Sequence, residues 1–250
     1  MAQNVLGVHG GGPTAVINAS LYGGIEEAKR NPEVGKVYGA IGGTGAIFSE
    51  TFIDLTSFDD EKLKLLLHTP ASAIGSSRYP LYEKDYEKMV DIFKKHDIKY
   101  VLLNGGNGTM DACGHIYEVC KDQDIKVVGI PKTIDNDIAM TDHSPGYGSA
   151  ARFIAASTQE VGEDVKSLPI HVCIMEAMGR NAGWITAASA LARRKQGDAP
   201  HLIYLPERNF NEDEFLEDVS KLQKKQGGVV VLVSEGLHDA NGESIVPPIF

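Results

Sequence analysis

The chain has 250 residues, 42% of them hydrophobic, enough to bury one large core or two smaller ones. A formal net charge of −10 argues against nucleic acid or an anionic membrane surface as the main partner, because both select basic faces, yet a few cations focused in a cleft still suffice for an anionic substrate. Cys113, Cys120 and Cys173 lack CxxC or zinc-finger spacing, no signal-like segment opens the chain, and no apolar run approaches the ~20 residues that span a bilayer, so a cytoplasmic protein without disulfides or structural metal is expected.

The first β-branched run, Val5 to Val8, leads into Gly10-Gly11-Gly12-Pro13-Thr14 and a helical pattern over Ala15 to Lys29. Strands are then expected over Lys36 to Ile41, Lys99 to Leu103, Val127 to Ile130, His171 to Met175, Leu202 to Leu205 and Val229 to Val233. Helices are expected over Met110 to Lys121, Gly148 to Lys166, Arg180 to Arg193 and Glu212 to Gln226. This alternation predicts an α/β protein of two doubly wound lobes with mainly parallel sheets. The Asp-His-Ser-Pro-Gly cluster within Ile138 to Tyr147 suggests a boundary that gives lobes 1–138 and 139–250. The chain stops at Val246-Pro-Pro-Ile-Phe250 soon after its last strand, which reads as an interruption, so the second lobe is expected to be incomplete at its C-terminus.

Chemistry concentrates where strands end. Gly11 and Gly12 after the first strand let the backbone approach a ligand, and the helix start that follows favours an anion. Asn104-Gly-Gly-Asn-Gly-Thr-Met-Asp111 repeats the arrangement, with Gly106, Asn107, Gly108 and Thr109 offering a second nest, and two such strand ends can share one polyphosphate. Pro131-Lys-Thr-Ile-Asp-Asn-Asp137 sets a cation, a hydroxyl, a base and a metal ligand in Lys132, Thr133, Asp135 and Asp137, the set that steering a hydroxyl onto phosphorus requires. Arg78 and Arg180, both at glycine-containing junctions, supply fork-like donors for phosphoryl oxygens, and Glu235 can accept hydrogen bonds from sugar hydroxyls. The eight histidines are scattered without ligand spacing and read as structural or surface residues, and no GxSxG elbow appears.

GGPTAVINAS (Gly11 to Ser20), GSSRY (Gly75 to Tyr79), GGNGTMDA (Gly105 to Ala112), PKTIDND (Pro131 to Asp137) and EAMGR (Glu176 to Arg180) together resemble the 6-phosphofructokinase family. The resemblance implies two α/β lobes with an active site between them. It implies transfer of a phosphoryl group to the 1-hydroxyl of fructose 6-phosphate, giving fructose 1,6-bisphosphate in glycolysis. Asp135 is then the general base, and Thr133 and Arg180 hold the transferring group. Lys132 neutralises the leaving group, and Arg78 contacts the donor phosphates. Met178, Gly179 and Glu235 line the sugar site, and Asp137 helps hold Mg²⁺. Asn107 stands where the ATP-using pattern has an aspartate near that metal. The donor markers divide: Gly108 resembles ATP users and Lys132 resembles pyrophosphate users. An acid at position 108 would bar a nucleotide α-phosphate, so its absence weighs toward ATP, with pyrophosphate as the alternative. The GGNGT turn alone would also suit an NAD-kinase-like or lipid-kinase-like enzyme. A non-catalytic phosphometabolite-binding module is the third reading. Family chains continue past this point with residues for the sugar 6-phosphate, and a homodimer or homotetramer is implied.

Overall fold

A computed structural model describes residues 3–245; the Val246 to Phe250 ending lies outside them. The chain divides into two compact units, Met1–Thr133 and Ile134–Phe250, so the division falls inside the PKTIDND segment, a few residues before the boundary expected after Ile138.

The first unit is built on β1 (Gln3–His9), β2 (Val34–Ala40), β3 (Phe52–Asp54), β4 (Ile98–Gly105) and β5 (Lys126–Pro131), ordered β3-β2-β1-β4-β5. Only the β2–β3 pair is antiparallel. Its helices are α1 (Ala15–Arg30), α2 (Gly45–Phe48), α3 (Asp60–Lys64), α4 (Glu83–Lys95) and α5 (Asn107–Cys120). Alternation along β1 drives the two-sided packing. Leu6 and Val8 join a core with Tyr86, Met89 and Phe93 of α4 and Cys113 and Ile116 of α5. Val5 faces the other way, into a core with Leu21 and Ile25 of α1 and Leu63 of α3.

The second unit holds α6 (Tyr147–Ser167), β6 (Val172–Ala177), α7 (Trp184–Ala188), β7 (Leu202–Tyr204), α8 (Glu212–Gln226) and β8 (Val229–Ser234), with an all-parallel sheet ordered β6-β8-β7. Val230 and Leu232 of β8 pack with Ile154 and Val165 of α6 and Ile185 of α7. Among the described residues no helix is long and apolar enough to cross a membrane.

One expected element is much shorter than predicted. In place of a helix from Arg180 to Arg193, the chain forms α7 and a 3₁₀ turn, Ser189–Ala192. Gly179 sits at φ +118°, and the Gly183 N–H is taken by the Glu207 carboxylate at 2.7 Å, so the residues before Trp184 form a pinned loop. Conversely, α4 is a helix beyond those expected: Tyr86, Met89, Val90 and Phe93 recur at helical spacing, and the Asp85 carboxylate accepts from the Tyr82 N–H at 3.1 Å at its start.

Candidate functional site

The order β3-β2-β1-β4-β5 reverses direction between β1 and β4, and both strands run the same way. Their carboxyl ends therefore open side by side at the place where an open parallel sheet binds ligands. His9 pairs in register with Asn104, and the Gly10 N–H donates to the Asn104 carbonyl at 2.9 Å, which sets Gly10-Gly11-Gly12 beside Gly105-Gly106-Asn107. Glycine at these positions is a steric requirement: a Cβ on Gly10 or on Gly105 would overlap the buried Thr109 side chain. Gly12 and Gly108 differ, since a Cβ there would meet no other atom within 4 Å, so both border open space.

The helices leaving these loops carry no side-chain cap and no acid in their first turn. By contrast, Asp59 caps α3 through the Lys62 N–H and Asn211 caps α8 through the Glu214 N–H. Uncapped N-termini leave N–H groups and the positive end of the helix dipole for an anion. Asp111 lies beyond the first turn of α5, exposed and 3.9 Å from His115, so it does not oppose such an anion at the helix start. Thr14 Oγ1 and Asn104 Oδ1 are buried at these two loops without a hydrogen-bond partner, a state that calls for a reason in a folded protein.

The GSSRY loop is fastened to the first glycine loop. Ser76 Oγ donates to the Gly11 carbonyl at 2.6 Å, and the Gly11 N–H donates to the Ser77 carbonyl at 3.3 Å. Gly43, at φ +70°, permits the close passage, as a Cβ there would lie 2.6 Å from the Ser77 nitrogen. Arg78 is exposed at the end of this support.

Lys132 leaves β5 buried at 4% exposure. Its backbone N–H donates to the Gly105 carbonyl at 2.8 Å, and its ammonium donates to the Gly12 carbonyl, so one residue ties both glycine loops together and brings a cation to the first. Thr133 is also buried. In the second unit, Ile134 packs against the core there, and Asn136, at φ +55°, accepts from the Ser144 N–H at 2.7 Å and donates to the Asp142 carbonyl at 3.2 Å. Asn136 is thus a turn former, whereas Asp135 and Asp137 on either side of it each keep one carboxylate oxygen out of solvent.

The second unit gathers the other expected residues at its own strand ends, where Ala177 of β6 pairs with Ser234 of β8. Glu235 Oε1 accepts from the Gly179 N–H at 3.0 Å, and Ser234 Oγ donates to the Gly179 carbonyl at 2.7 Å. A Cβ on Gly179 would lie 2.5 Å from the Ala182 carbonyl oxygen. Met178, Gly179, Arg180 and Glu235 therefore share one loop cluster, with Met178 and Arg180 exposed. Sequence reasoning missed the residues that hold this cluster and its counterpart: Ser72, Ser76, Glu207, Ser234 and Gly236. Ser76, Ser234 and Gly236 lie within or beside motifs the sequence did single out, whereas Ser72 and Glu207 carry no local signal.

Among the described residues no group of three or more His, Cys, Asp or Glu side chains is placed to hold a metal. A cavity of about 620 Å³ in the second unit, bordered by Lys166, Arg194 and His201, includes none of the expected site residues.

The sequence matches the phosphofructokinase family over residues 4–247. It is 44% identical to a pyrophosphate–fructose 6-phosphate 1-phosphotransferase of Rhodospirillum rubrum, across 97% of this chain and 60% of that protein. It is 30% identical to an ATP-dependent 6-phosphofructokinase of Amycolatopsis methanolica, across 93% of this chain and 51% of that one. The crystal structure of a pyrophosphate-dependent phosphofructokinase from Nitrosospira multiformis superposes with a TM-score of 0.90 at 38% identity, covering 97% of this chain and 63% of the other. The fold, the glycine-rich strand ends and these similarities lead to one statement: the chain belongs to the phosphofructokinase family.

Proposed function

We propose that the chain carries the donor-binding and sugar-binding elements of a 6-phosphofructokinase that uses pyrophosphate, moving one phosphoryl group to the 1-hydroxyl of fructose 6-phosphate and releasing inorganic phosphate. The observation that carries the choice of donor is Lys132, whose ammonium reaches the first glycine loop, where a charged leaving group needs a counterion. The higher identity to the pyrophosphate-dependent relative supports the same choice and favours it over the ATP use that Gly108 suggested. Gly108 remains the one feature that favours a nucleotide, because open space surrounds it. The family match leaves the NAD-kinase-like and lipid-kinase-like readings without support.

In this reading residues 1–138 bind the donor through Gly11, Gly12, Arg78, Gly106, Asn107, Gly108 and Thr109, and residues 139–250 bind the sugar through Met178, Gly179, Arg180 and Glu235. Asp135 takes the proton from the 1-hydroxyl as the new bond to phosphorus forms. Thr133 and Arg180 hold the oxygens of the group in transit, and Lys132 balances charge on the departing phosphate. The donor set suits Mg²⁺, a hard cation content with oxygen ligands: the Asp137 carboxylate and the Asn107 amide oxygen fit it. Mg²⁺ commonly keeps its waters and substrate phosphates as the remaining ligands, so a cage of protein carboxylates is not required. Mg²⁺ supplies charge neutralisation on the phosphates. A homodimer or homotetramer in the cytoplasm, where its charged substrates are confined, completes the proposal.

Steady-state turnover of fructose 6-phosphate with Mg²⁺ and either pyrophosphate or ATP tests this. The expected kcat/KM favours pyrophosphate by about tenfold or more, ~1.4 kcal/mol of transition-state stabilisation. A preference for ATP would reverse the donor assignment, and pyrophosphate binding without any turnover would favour the non-catalytic reading. Gly108→Asp sharpens the test. An added Cβ would meet nothing within 4 Å, so the substitution is tolerated locally and its effect falls on the ligand, and the ratio of ATP use to pyrophosphate use should fall by about tenfold. An unchanged ratio would mean that position 108 does not face the donor.

A further inference from the structure

We propose that His9 is a positioning residue of the donor site, which as its Nδ1–H tautomer fixes the Ser72–Gly75 turn and, through it, the Arg78 loop against the first glycine loop. The proposal rests on the donor reading given above. His9 ends β1 and is 1% exposed. Its Nδ1 lies 2.8 Å from Ser72 Oγ. The tautomer follows from counting protons: the single hydroxyl proton of Ser72 is donated to the Gly75 carbonyl at 2.7 Å, so Ser72 Oγ can only accept from the imidazole. That commits the His9 proton to Nδ1 and leaves Nε2 bare. Nε2 is buried and has no hydrogen-bond partner. A side chain that merely filled this space would be cheaper as an apolar one, because an unsatisfied buried acceptor destabilises the fold.

The payoff lies downstream in the chain. Gly75, at φ +73°, turns directly into Ser76, Ser77 and Arg78. Ser76 and Ser77 grip the Gly11 carbonyl and N–H respectively, so the hydrogen bonds rooted at His9 end on both peptide groups of Gly11, the residue that would meet donor phosphates. The imidazole also stays neutral. Burial first, and the charge of Lys132 second, hold its pKa down to about 4, and Lys132 is then the cation at the first glycine loop. The histidine that the sequence offered as structural is, on this view, the fixed point from which the donor loop is hung.

The test combines a spectroscopic reading with variants that separate the two nitrogens. ¹⁵N NMR of the imidazole at neutral pH should show a protonated Nδ1 and a bare Nε2. An asparagine amide can stand in for Nδ1 and a glutamine amide for Nε2, so in calorimetric titrations with pyrophosphate and Mg²⁺, His9→Asn should bind within roughly threefold of wild type. His9→Gln and Ser72→Ala should each weaken binding about tenfold, and the double variant should be no worse than either, as expected for groups acting as one unit. Fructose 6-phosphate affinity should stay unchanged in all, which separates positioning from general loss of structure; should His9→Gln fail to fold, Ser72→Ala gives the same reading. An Nε2–H tautomer, or equal pyrophosphate affinities for His9→Asn, His9→Gln and Ser72→Ala, overturns the role. Failure of the wild-type protein to bind pyrophosphate would overturn the functional reading, and this role with it, even where NMR finds the Nδ1–H tautomer.

Discussion

Asp135→Asn should lower kcat by about three orders of magnitude, ~4 kcal/mol, while KM for both substrates changes little. The substitution keeps the shape of the side chain and removes its negative charge, and with it the capacity to take a proton. Backbone on both sides of Asp135 is fixed independently of that capacity. Ile134 is packed into the second core, and Asn136 is locked in its left-handed turn by bonds to Asp142 and Ser144. The backbone on either side therefore holds an amide at 135 in the carboxylate's place, and the thermal melt should stay close to that of wild type. The reading is steady-state kinetics with pyrophosphate and Mg²⁺ beside a calorimetric melt. A kcat within tenfold of wild type would remove Asp135 from the role of general base.

Gly236→Ala is expected to have the second largest effect, and it acts through backbone. A Cβ at 236 would overlap the Arg180 carbonyl oxygen and lie 2.6 Å from the carbonyl carbon, and neither can be moved by changing a rotamer. The chain around it is also committed, since Gly179 is held by Glu235 at 3.0 Å and by Ser234 at 2.7 Å. One of the two strand-end loops must give way, at a cost of about 2–3 kcal/mol, the range of other overpacked sites. Because the displaced loop carries Met178 and Arg180, KM for fructose 6-phosphate should rise by about tenfold or more and kcat should fall, with a much smaller rise in the pyrophosphate KM. Equal rises in both KM values would show that the loop does not belong to the sugar half.

Regular structure was readable where residue type is uniform along an element, as in a continuous β-branched run or a helix with its charges sorted to its ends. The run Val229 to Val233 and the helix Glu212 to Gln226, with acids in its first turn and lysines in its last, lie almost where they were expected. The helix expected from Met110 begins at Asn107 instead: Gly108 and Thr109 have weak helix propensity, and it is the packing of the Thr109 side chain beneath Gly10 and Gly105 that fixes this first turn. Arg180 falls outside the helix expected over it for the opposite reason: the alanines after it have high propensity, but the Gly179 and Gly183 N–H groups donate to Glu235 and Glu207, distant in sequence, which hold the loop open. The same distinction governs the site. Lys132, Asp135, Arg180 and the glycines announced themselves by residue type at strand ends. Ser72, Ser234 and Gly236 did not, since their roles are set by partners brought near only through folding.

The two helices that leave the glycine loops without caps have a consequence for anyone seeking a hardier protein. Capping α1 or α5 with an acid is the simplest local route to a more stable fold, since each helix start lacks such a group. Yet the charge that would satisfy the helix would compete for the same N–H groups as a donor phosphate, so heat resistance gained there would come at the expense of pyrophosphate affinity. The helices that already carry acidic first turns, α3, α4 and α8, are the safer ground for such work, because added charge there meets no proposed ligand.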